Sequence, residues 1–379
     1  MSNDRVDSRI EDLPEKKRET FDERIDKEKD ELADRLAEKH LATIENQMMA
    51  DREELSDFNV IVSGFRDREK TEYRYIRTEP FIHKNKKNVD ILLASPEEGI
   101  AVFVENERTL ASGTDEKIGR FGKRKDFIQS GGDSDLDADA YLKDVLNTEL
   151  DATDFVVSSQ HTPQDRLRGA GERKELNFCV WTLGSHGVTC SIHFYLVKKG
   201  KKESFEGHTE DELESYIIDE LASRVRKQDY LSFTFSSSRF LKLKHMAVVL
   251  VTRYHGKGND TFTFDEWEHL FVEQDIELNN YLDKEKETVY ANFISYGRAC
   301  DIVTLEEDRG DILENGYRIK SSATSDVGKL EAELEQKMAE RRMADDYEKQ
   351  LRELKRQLLE EIQPTEETTL SDFTDTSGR

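Results

Sequence analysis

Two long segments, one near each end of the chain, carry apolar residues at helical spacing. Within 1–57 the apolar positions recur mostly every three, four or seven residues, which predicts an amphipathic helix over about 19–55. A similar stripe predicts a second helix over about 329–361. Both helices are suited to coiled-coil pairing, with each other or between subunits of a homo-oligomer, and both are suited to packing on a globular body. The pattern does not choose between these arrangements.

Between these segments, strand-like runs alternate with helical patterns. Helices are predicted at 115–129, 138–150, 163–174 and 210–227. The strand-like runs are rich in β-branched and aromatic residues and end at turn residues; they lie at 59–65, 73–82, 89–94, 100–107, 154–160, 177–183 and 188–197. The alternation predicts an α/β fold with a mixed central sheet and flanking helices.

Changes in this pattern also suggest domain boundaries. After about residue 229 a new α+β pattern begins, either as a second unit or as an elaboration of the first. The last residues are acidic and rich in Thr and Ser, which predicts disorder. The predicted units are a helical extension at 1–57, an α/β domain at 58–228, an α+β unit at 229–326, a helix at 327–362 and a tail at 363–379.

The composition limits what the whole surface can bind. The 379 residues include 82 Asp and Glu against 57 Lys and Arg, a net charge of −25, which argues against a general polyanion-binding surface and is also found in halophilic proteins. Three cysteines without C-x-x-C spacing indicate neither a disulfide framework nor a zinc site. No apolar run approaches the roughly 20 residues that cross a membrane, and the N-terminus lacks an apolar signal segment. We therefore expect a cytoplasmic protein without a membrane partner.

The stretch NVDILLASPEEGIAVFVENE, residues 88–107, predicts an antiparallel hairpin with carboxylates at one end. Proline and glycine in SPEEG favour a turn between two apolar strands. Because side chains alternate between the faces of a strand, Glu105 and Glu107 lie on one face, and Asp90 on the partner strand can come opposite them.

Three converging carboxylates would raise one another's pKa values unless a cation neutralised them. A hard divalent ion such as Mg²⁺ or Mn²⁺ suits such oxygen ligands and retains waters for chemistry. The alternative is that Glu105 and Glu107 mark the solvated end of a strand and that Asp90 helps the loop to turn.

An aspartate at the start of one strand, a turn, and an apolar strand ending in E-x-E resembles the core of the PD-(D/E)xK nuclease superfamily, which has the restriction-endonuclease-like fold. The resemblance covers about residues 60–200. It implies that Asp90 and Glu105 hold Mg²⁺ or Mn²⁺ for the cleavage of DNA, and that Glu107 positions or deprotonates the attacking water. Glu107 stands where the motif normally has lysine, and some restriction enzymes of the superfamily also carry glutamate there.

Two further residues can complete the catalytic set that this resemblance implies. Glu79, ahead of the hairpin, can supply the additional acidic ligand that many of these enzymes carry on an earlier helix or strand. Lys117, on the segment after the second strand, lies where some members relocate the lysine. Gln160 and His161, at the end of a later strand, are weaker candidates for polar roles nearby.

Local charge gives a second indication of a nucleic-acid partner. Residues 64–87 contain eight basic residues against four acids, and residues 117–125 contain five basic residues and no acid. Both runs flank the hairpin, where a phosphate backbone would have to be held. The alternative is an ordinary solvated loop and helix. The residues that we expect to contact phosphates are Lys84, Lys86, Lys87, Arg120, Lys123, Arg124 and Lys125.

Three functions are consistent with the sequence. The first is a metal-dependent phosphodiester hydrolase acting on DNA. The second is a noncatalytic oligomeric scaffold in which the terminal helices associate and the nuclease-like domain is degenerate. The third is a nucleic-acid-binding regulator that keeps the basic residues without hydrolysis. No serine-nucleophile elbow, P-loop or H-E-x-x-H motif offers another chemistry.

Overall fold

The computed structural model describes residues 3–65, 71–81, 88–107, 113–159, 164–176, 178–186, 191–199, 231–254, 261–272, 276–322 and 326–363, together with Leu213 and Tyr216. The helices are α1 (Asn3–Glu11), α2 (Glu15–Gly64), α3 (Thr114–Gln129), α4 (Ala138–Leu146), α5 (Gln164–Arg173), α6 (Arg239–Val249, continued as a π-helix over Leu250–Tyr254), α7 (Phe264–Val272), α8 (Ile276–Asn279), α9 (Asp283–Ala299) and α10 (Val327–Ile362). The strands are β1 (Arg74–Thr78), β2 (Ile91–Ser95), β3 (Ile100–Asn106), β4 (Gly132–Asp133), β5 (Leu136–Asp137), β6 (Ala152–Ser159), β7 (Phe178–His186), β8 (Ser191–Lys199), β9 (Val303–Glu307) and β10 (Gly316–Ile319).

A six-stranded mixed sheet forms the centre of the molecule, in the order β1-β2-β3-β6-β7-β8. The first three strands form an antiparallel meander, β6 joins β3 in parallel, β7 joins β6 in parallel, and β8 returns antiparallel. Parallel neighbours need a crossover, and α3 and α5 occupy the connections before β6 and β7. The predicted α/β fold with a mixed sheet and flanking helices is confirmed at this level.

The hairpin of β2 and β3 separates two hydrophobic cores, as its alternating pattern predicts. Val102 and Val104 pack into the core beneath α2 and the C-terminal unit. Ala101 and Phe103 pack into the other core, against α3 and α4. Gly99 in the connecting turn has a φ of 64°, a left-handed conformation that glycine adopts without a side-chain clash. The chain direction and register of this hairpin therefore fix which side of the sheet its terminal carboxylates face.

The predicted strand at 59–65 is wrong, because α2 continues through it to Gly64. Phe58, Ile61, Val62 and Phe65 are all buried. Their spacing of three, one and three residues is the i, i+3, i+4, i+7 pattern of one helical face. The β-branched residues in this segment suggested a strand, but the preceding helical stripe runs on without a break and its packing prevails over local propensity.

The two terminal helices pack against each other in antiparallel orientation within one chain. At one end, Phe21 and Ile25 share a hydrophobic cluster with Leu358 and Leu359. Ion pairs follow the same alignment, with Arg24 to Glu361 at 2.8 Å and Lys39 to Asp346 at 3.2 Å. Pairing of the helices with each other is thus confirmed, and association between subunits stays a prediction.

The region predicted as an α+β unit contains α6 to α9 and the β9–β10 hairpin. It shares one hydrophobic core with α2 and the central sheet, so its packing is continuous with that of the α/β domain. The predicted helix at 210–227 lies outside the described residues except for Leu213 and Tyr216, and nearly all of the tail lies outside them too. In the part of the chain that is described, no helix combines the length and apolar character of a membrane span.

Candidate active site

Asp90 and Glu105 lie next to the last paired residues at one end of the hairpin. Ile91 pairs with Val104, and the Asp90 amide donates a hydrogen bond to the Val104 carbonyl at 3.1 Å. The register ends at this pair, and Asp90 and Glu105 are the next residues outward on the two strands. The charge of Glu105 raises the pKa of Asp90, so two of the three carboxyl groups that were predicted to converge lie within interaction distance.

The Asp90 carboxylate is fixed by the backbone of the facing strand. The amide of Asn106 donates a hydrogen bond to Asp90 Oδ2 at 2.6 Å. Burial raises the pKa of Asp90 well above its usual range, and the neighbouring Glu105 raises it further, while the Asn106 amide and Arg124 lower it. Burial and the neighbouring negative charge therefore disfavour the ionised form of Asp90.

Glu105 is 7% exposed and its two carboxylate oxygens have different environments. Oε1 accepts an ion-pair hydrogen bond from Arg124 on α3. Oε2 is buried and has no hydrogen-bond partner among the described residues. Burial raises the pKa of Glu105 to about 7; Arg124 lowers it and Glu107 raises it. A buried carboxylate oxygen without a donor is costly and is the atom that a ligand would satisfy.

Helix α3 supplies cations to this end of the hairpin. Lys117 donates to Glu107 Oε2, and Arg124, seven residues further along the same face, pairs with Glu105. Arg120 lies between them in sequence and also lowers the pKa of Glu105 through its charge. Ile118 and Phe121 bury the adjoining stripe of α3 against the sheet. The helix is thereby held with a basic face over the carboxylates.

The site therefore combines three acids from the hairpin with three basic residues from one helix. No protein-family model, curated protein or solved structure gives a significant match to this chain. The chemistry has to be judged from the side chains themselves. Carboxylate oxygens are the ligands that Mg²⁺ prefers, and arginine and lysine are the side chains that most often meet phosphates.

The donor set fits a magnesium or manganese ion with a small number of protein ligands. The described residues contain no group of three or more His, Cys, Asp and Glu side chains that could hold a metal ion. Mg²⁺ is usually bound through one or two carboxylates, with waters and substrate phosphates completing the shell. Asp90 and Glu105 supply two neighbouring carboxylates, and the unsatisfied Oε2 of Glu105 is a hard oxygen donor.

Glu79 does not direct its carboxylate to this pair. Its backbone amide donates to the Asp90 carbonyl at 2.9 Å, so the two residues are neighbours along the backbone. Its carboxylate instead accepts a hydrogen bond from the Ser236 amide at 2.7 Å, on the segment before α6. Burial raises the pKa of Glu79, and this hydrogen bond and Lys242 lower it. Glu79 therefore connects the hairpin to the C-terminal unit.

The predicted phosphate-binding residues have different positions in the fold. Lys84, Lys86 and Lys87 lie outside the described residues, as do Gln160 and His161. On α3, Arg120 and Lys123 are exposed, whereas Arg124 is held by Glu105 and Lys125 lies 5.1 Å from the centre of the Phe155 ring. Arg77, counted in the first basic run, is fully buried in an ion pair with Glu285 at 2.9 Å and cannot meet a phosphate.

Glu54 is an acidic residue near this site that the sequence reasoning missed. It lies on the last part of α2, and its charge raises the pKa of Asp90. The signal was present in the sequence, because the apolar stripe of the N-terminal helix continues past residue 55. A strand at 59–65 would end the helix near residue 55 and place Glu54 at its frayed end. Because α2 instead continues to Gly64, Glu54 lies inside the helix.

Proposed function

We propose that the protein is a metal-dependent phosphodiester hydrolase that acts on DNA, with the restriction-endonuclease-like fold. One observation carries the proposal: next to the buried carboxyl of Asp90, a buried oxygen of Glu105 has no donor among the described residues. A solvated strand end would leave both carboxylates in water with ordinary pKa values. The observed pair has raised pKa values, and burial is the largest cause for both.

The order of elements also supports the fold assignment. A long helix, an antiparallel three-stranded meander, a crossover helix and a parallel strand follow one another as α2, β1 to β3, α3 and β6. The acidic residues lie where the second strand of the meander begins and where the third ends. This is the arrangement that the resemblance to PD-(D/E)xK nucleases implies for its aspartate and second acid.

Asp90 and Glu105 would hold Mg²⁺ or Mn²⁺ in this proposal. The ion would polarise the phosphate and make its bound water more acidic. Glu107 follows Glu105 by two residues on the same face, and its role is to accept a proton from the attacking water. Lys117 holds Glu107 in position through their ion pair and places a positive charge near the developing negative charge of the phosphate.

Helix α3 provides the contacts that would hold the DNA backbone. Arg120 and Lys123 are exposed on this helix, and Arg124 pairs with Glu105. A phosphate approaching α3 would meet these cations close to the carboxylates. In a chain of net charge −25, binding should depend on this basic face and weaken as salt rises.

Plasmid cleavage with purified protein and Mg²⁺ or Mn²⁺ tests the proposal directly. Wild-type protein should convert supercoiled plasmid to nicked or linear DNA, and Asp90→Asn and Glu105→Gln should abolish the conversion. Glu98→Gln, an exposed acid in the turn at the opposite end of the same hairpin, is the matched control and should leave cleavage unchanged. Absence of wild-type cleavage over a range of salt and metal would contradict the proposal and favour a noncatalytic role.

A further inference from the structure

A cavity of about 460 Å³ lies between α6 and α9 in the C-terminal unit. Its volume is within the range of roughly 300 to 1,000 Å³ that is usual for small-molecule sites. It is lined by the N-terminal half of α6, by Phe235 ahead of that helix, and by one face of α9. None of the residues assigned to the carboxylate site lines it.

The charge of the cavity wall is opposite to that of the protein. Arg239 and Lys242 line it, and its described lining contains no acidic residue, in a chain that has 82 acids against 57 basic residues. A second cavity, of about 420 Å³, differs because its lysine is paired with acids. Its lysine, Lys244, is neutralised by Glu335 at 2.6 Å and Glu331 at 3.3 Å.

Neither cation of the larger cavity has an acidic partner at ion-pair distance among the described residues. Arg239 is exposed, and its guanidinium lies 4.4 Å from the centre of the Tyr296 ring. The Lys242 ammonium donates to the Phe235 carbonyl at 2.6 Å; burial lowers its pKa, and the charges of Glu79 and Asp51 raise it. Because no carboxylate lies at ion-pair distance from either cation among the described residues, an anionic ligand would be their direct partner.

The remainder of the wall offers an apolar surface with two free polar groups. Leu243, Met246 and Phe293 provide the apolar part, together with the rings of Phe235 and Tyr296. The side chains of Asn292 and Ser295, which point from α9, make no hydrogen bond to another described residue. A ligand that matches this wall has an anionic end, a flat or apolar body, and a polar edge.

We propose that this cavity binds a small anionic molecule with an aromatic body, of the chemical class of a mononucleotide. The anion lies between Arg239 and Lys242, the body packs on the aromatic and apolar wall, and Asn292 and Ser295 face its polar edge. The site is separate from the carboxylate pair of the proposed nuclease, so its occupancy can be measured without any cleavage assay.

Isothermal titration of the full chain with adenosine monophosphate tests this proposal, with adenosine, inorganic phosphate and decanoate as comparison ligands. Adenosine monophosphate should bind more tightly than either of its parts, and Arg239→Gln should weaken it about tenfold or more, as expected for a charged hydrogen bond. Ser295→Trp should block the cavity and abolish binding. Arg298→Gln, an exposed arginine on α9 outside the lining, is the matched control and should bind as wild type does.

Each other outcome overturns part of the proposal. Phosphate binding as tightly as the nucleotide would remove the role of the apolar wall. Tighter binding of decanoate would replace the aromatic body with an alkyl chain. Equal losses in Arg239→Gln and Arg298→Gln would indicate nonspecific attraction to basic residues. Millimolar concentrations of all four ligands without heat or a thermal shift would refute the site.

Discussion

Glu105 and Glu277 are two buried glutamates of the same fold whose pKa values are both raised to about 7, yet their surroundings differ. Both carboxylate oxygens of Glu277 accept hydrogen bonds, from the Thr78 amide at 3.1 and 3.2 Å and from the hydroxyls of Thr78 and Tyr75. Glu105 has Arg124 on one oxygen and no donor among the described residues on the other. The pKa therefore does not distinguish the two residues, and hydrogen-bond satisfaction does.

The difference separates a structural carboxylate from one suited to a ligand. Glu277 joins α8 to β1, beside the buried ion pair of Arg77 with Glu285, and Tyr141 donates to Glu285 at 2.6 Å. This enclosed network fastens the C-terminal unit to the sheet. Glu105 lies at the end of a strand beneath α3, and one of its oxygens has no donor among the described residues. A perturbed pKa is a stronger indication of a functional site when the group is also incompletely hydrogen-bonded.

The largest difference between the two glutamates should appear in DNA cleavage. Glu105→Gln removes the metal ligand that we propose, which would supply several kcal/mol of transition-state stabilisation, so we expect a loss of more than about 100-fold in the cleavage rate. Glu277→Gln should stay within a few-fold of wild type. Initial rates of plasmid nicking under saturating Mg²⁺ measure both. Comparable losses in both variants would contradict the assignment of the metal-binding role to Glu105 and of a structural role to Glu277.

Stability should respond in the opposite order. Glu277→Ala leaves the buried donors of Thr78 and Tyr75 without an acceptor, which should cost about 3 kcal/mol or more in the free energy of unfolding. Glu105→Ala should change it by about 1 kcal/mol or less, because Arg124 has an 18% exposed side chain and can turn to water. Urea denaturation at pH 8 without divalent metal compares the two. A larger loss for Glu105→Ala would contradict the structural role given to Glu277.

The pH dependence of stability should distinguish the two residues through metal binding. The pKa of each carboxyl is raised from 4.5 to about 7, so the folded chain binds more protons than the unfolded chain in that window. The contribution of each group to stability is therefore greatest below about pH 4.5 and falls as pH rises through about 7, by roughly 3 kcal/mol per group.

Adding Mn²⁺ should reduce the fall due to Glu105, because a metal binds the ionised carboxylate, and should leave the fall due to Glu277 intact. Glu277→Gln should remove the portion of the pH-dependent loss of stability that Mn²⁺ does not change. Urea midpoints between pH 5 and 8, with and without Mn²⁺, provide the measurement. A metal effect that persists unchanged in Glu105→Gln would place the ion elsewhere.

The part of this arrangement that local pattern controls was predictable from the sequence. Period-2 alternation and the turn in SPEEG define the hairpin, and these two features place Glu105 and Glu107 on one face and Asp90 opposite. Helix α3 was predicted at 115–129 and begins and ends within one residue of those bounds at Thr114 and Gln129. Its packing over the hairpin then follows from the crossover that a parallel β3–β6 pair requires.

The part that depends on long-range packing was not predictable. Arg77 and Glu285 are 208 positions apart in the sequence, so no local pattern predicts the buried ion pair that they form. Glu79 was expected near Asp90, and its backbone is there, but its carboxylate binds the Ser236 amide, 157 residues further along the chain. Charged side chains usually lie in water, so a local pattern predicts exposure and does not reveal a distant partner that folds onto them.

The smallest effect should distinguish the exposed face of α3 from the enclosed ion pair of Arg77. Lys123 is exposed, so Lys123→Gln should weaken DNA binding uniformly and reduce the slope of log K against log salt by about one phosphate contact. Arg77→Gln should leave that slope unchanged and lower stability, because Glu285 loses its buried partner. Fluorescence anisotropy with a labelled duplex at several salt concentrations, with Ca²⁺ in place of Mg²⁺, measures both slopes. An altered slope in Arg77→Gln alone would mean that charge buried between the units, and not the surface of α3, sets the affinity for DNA.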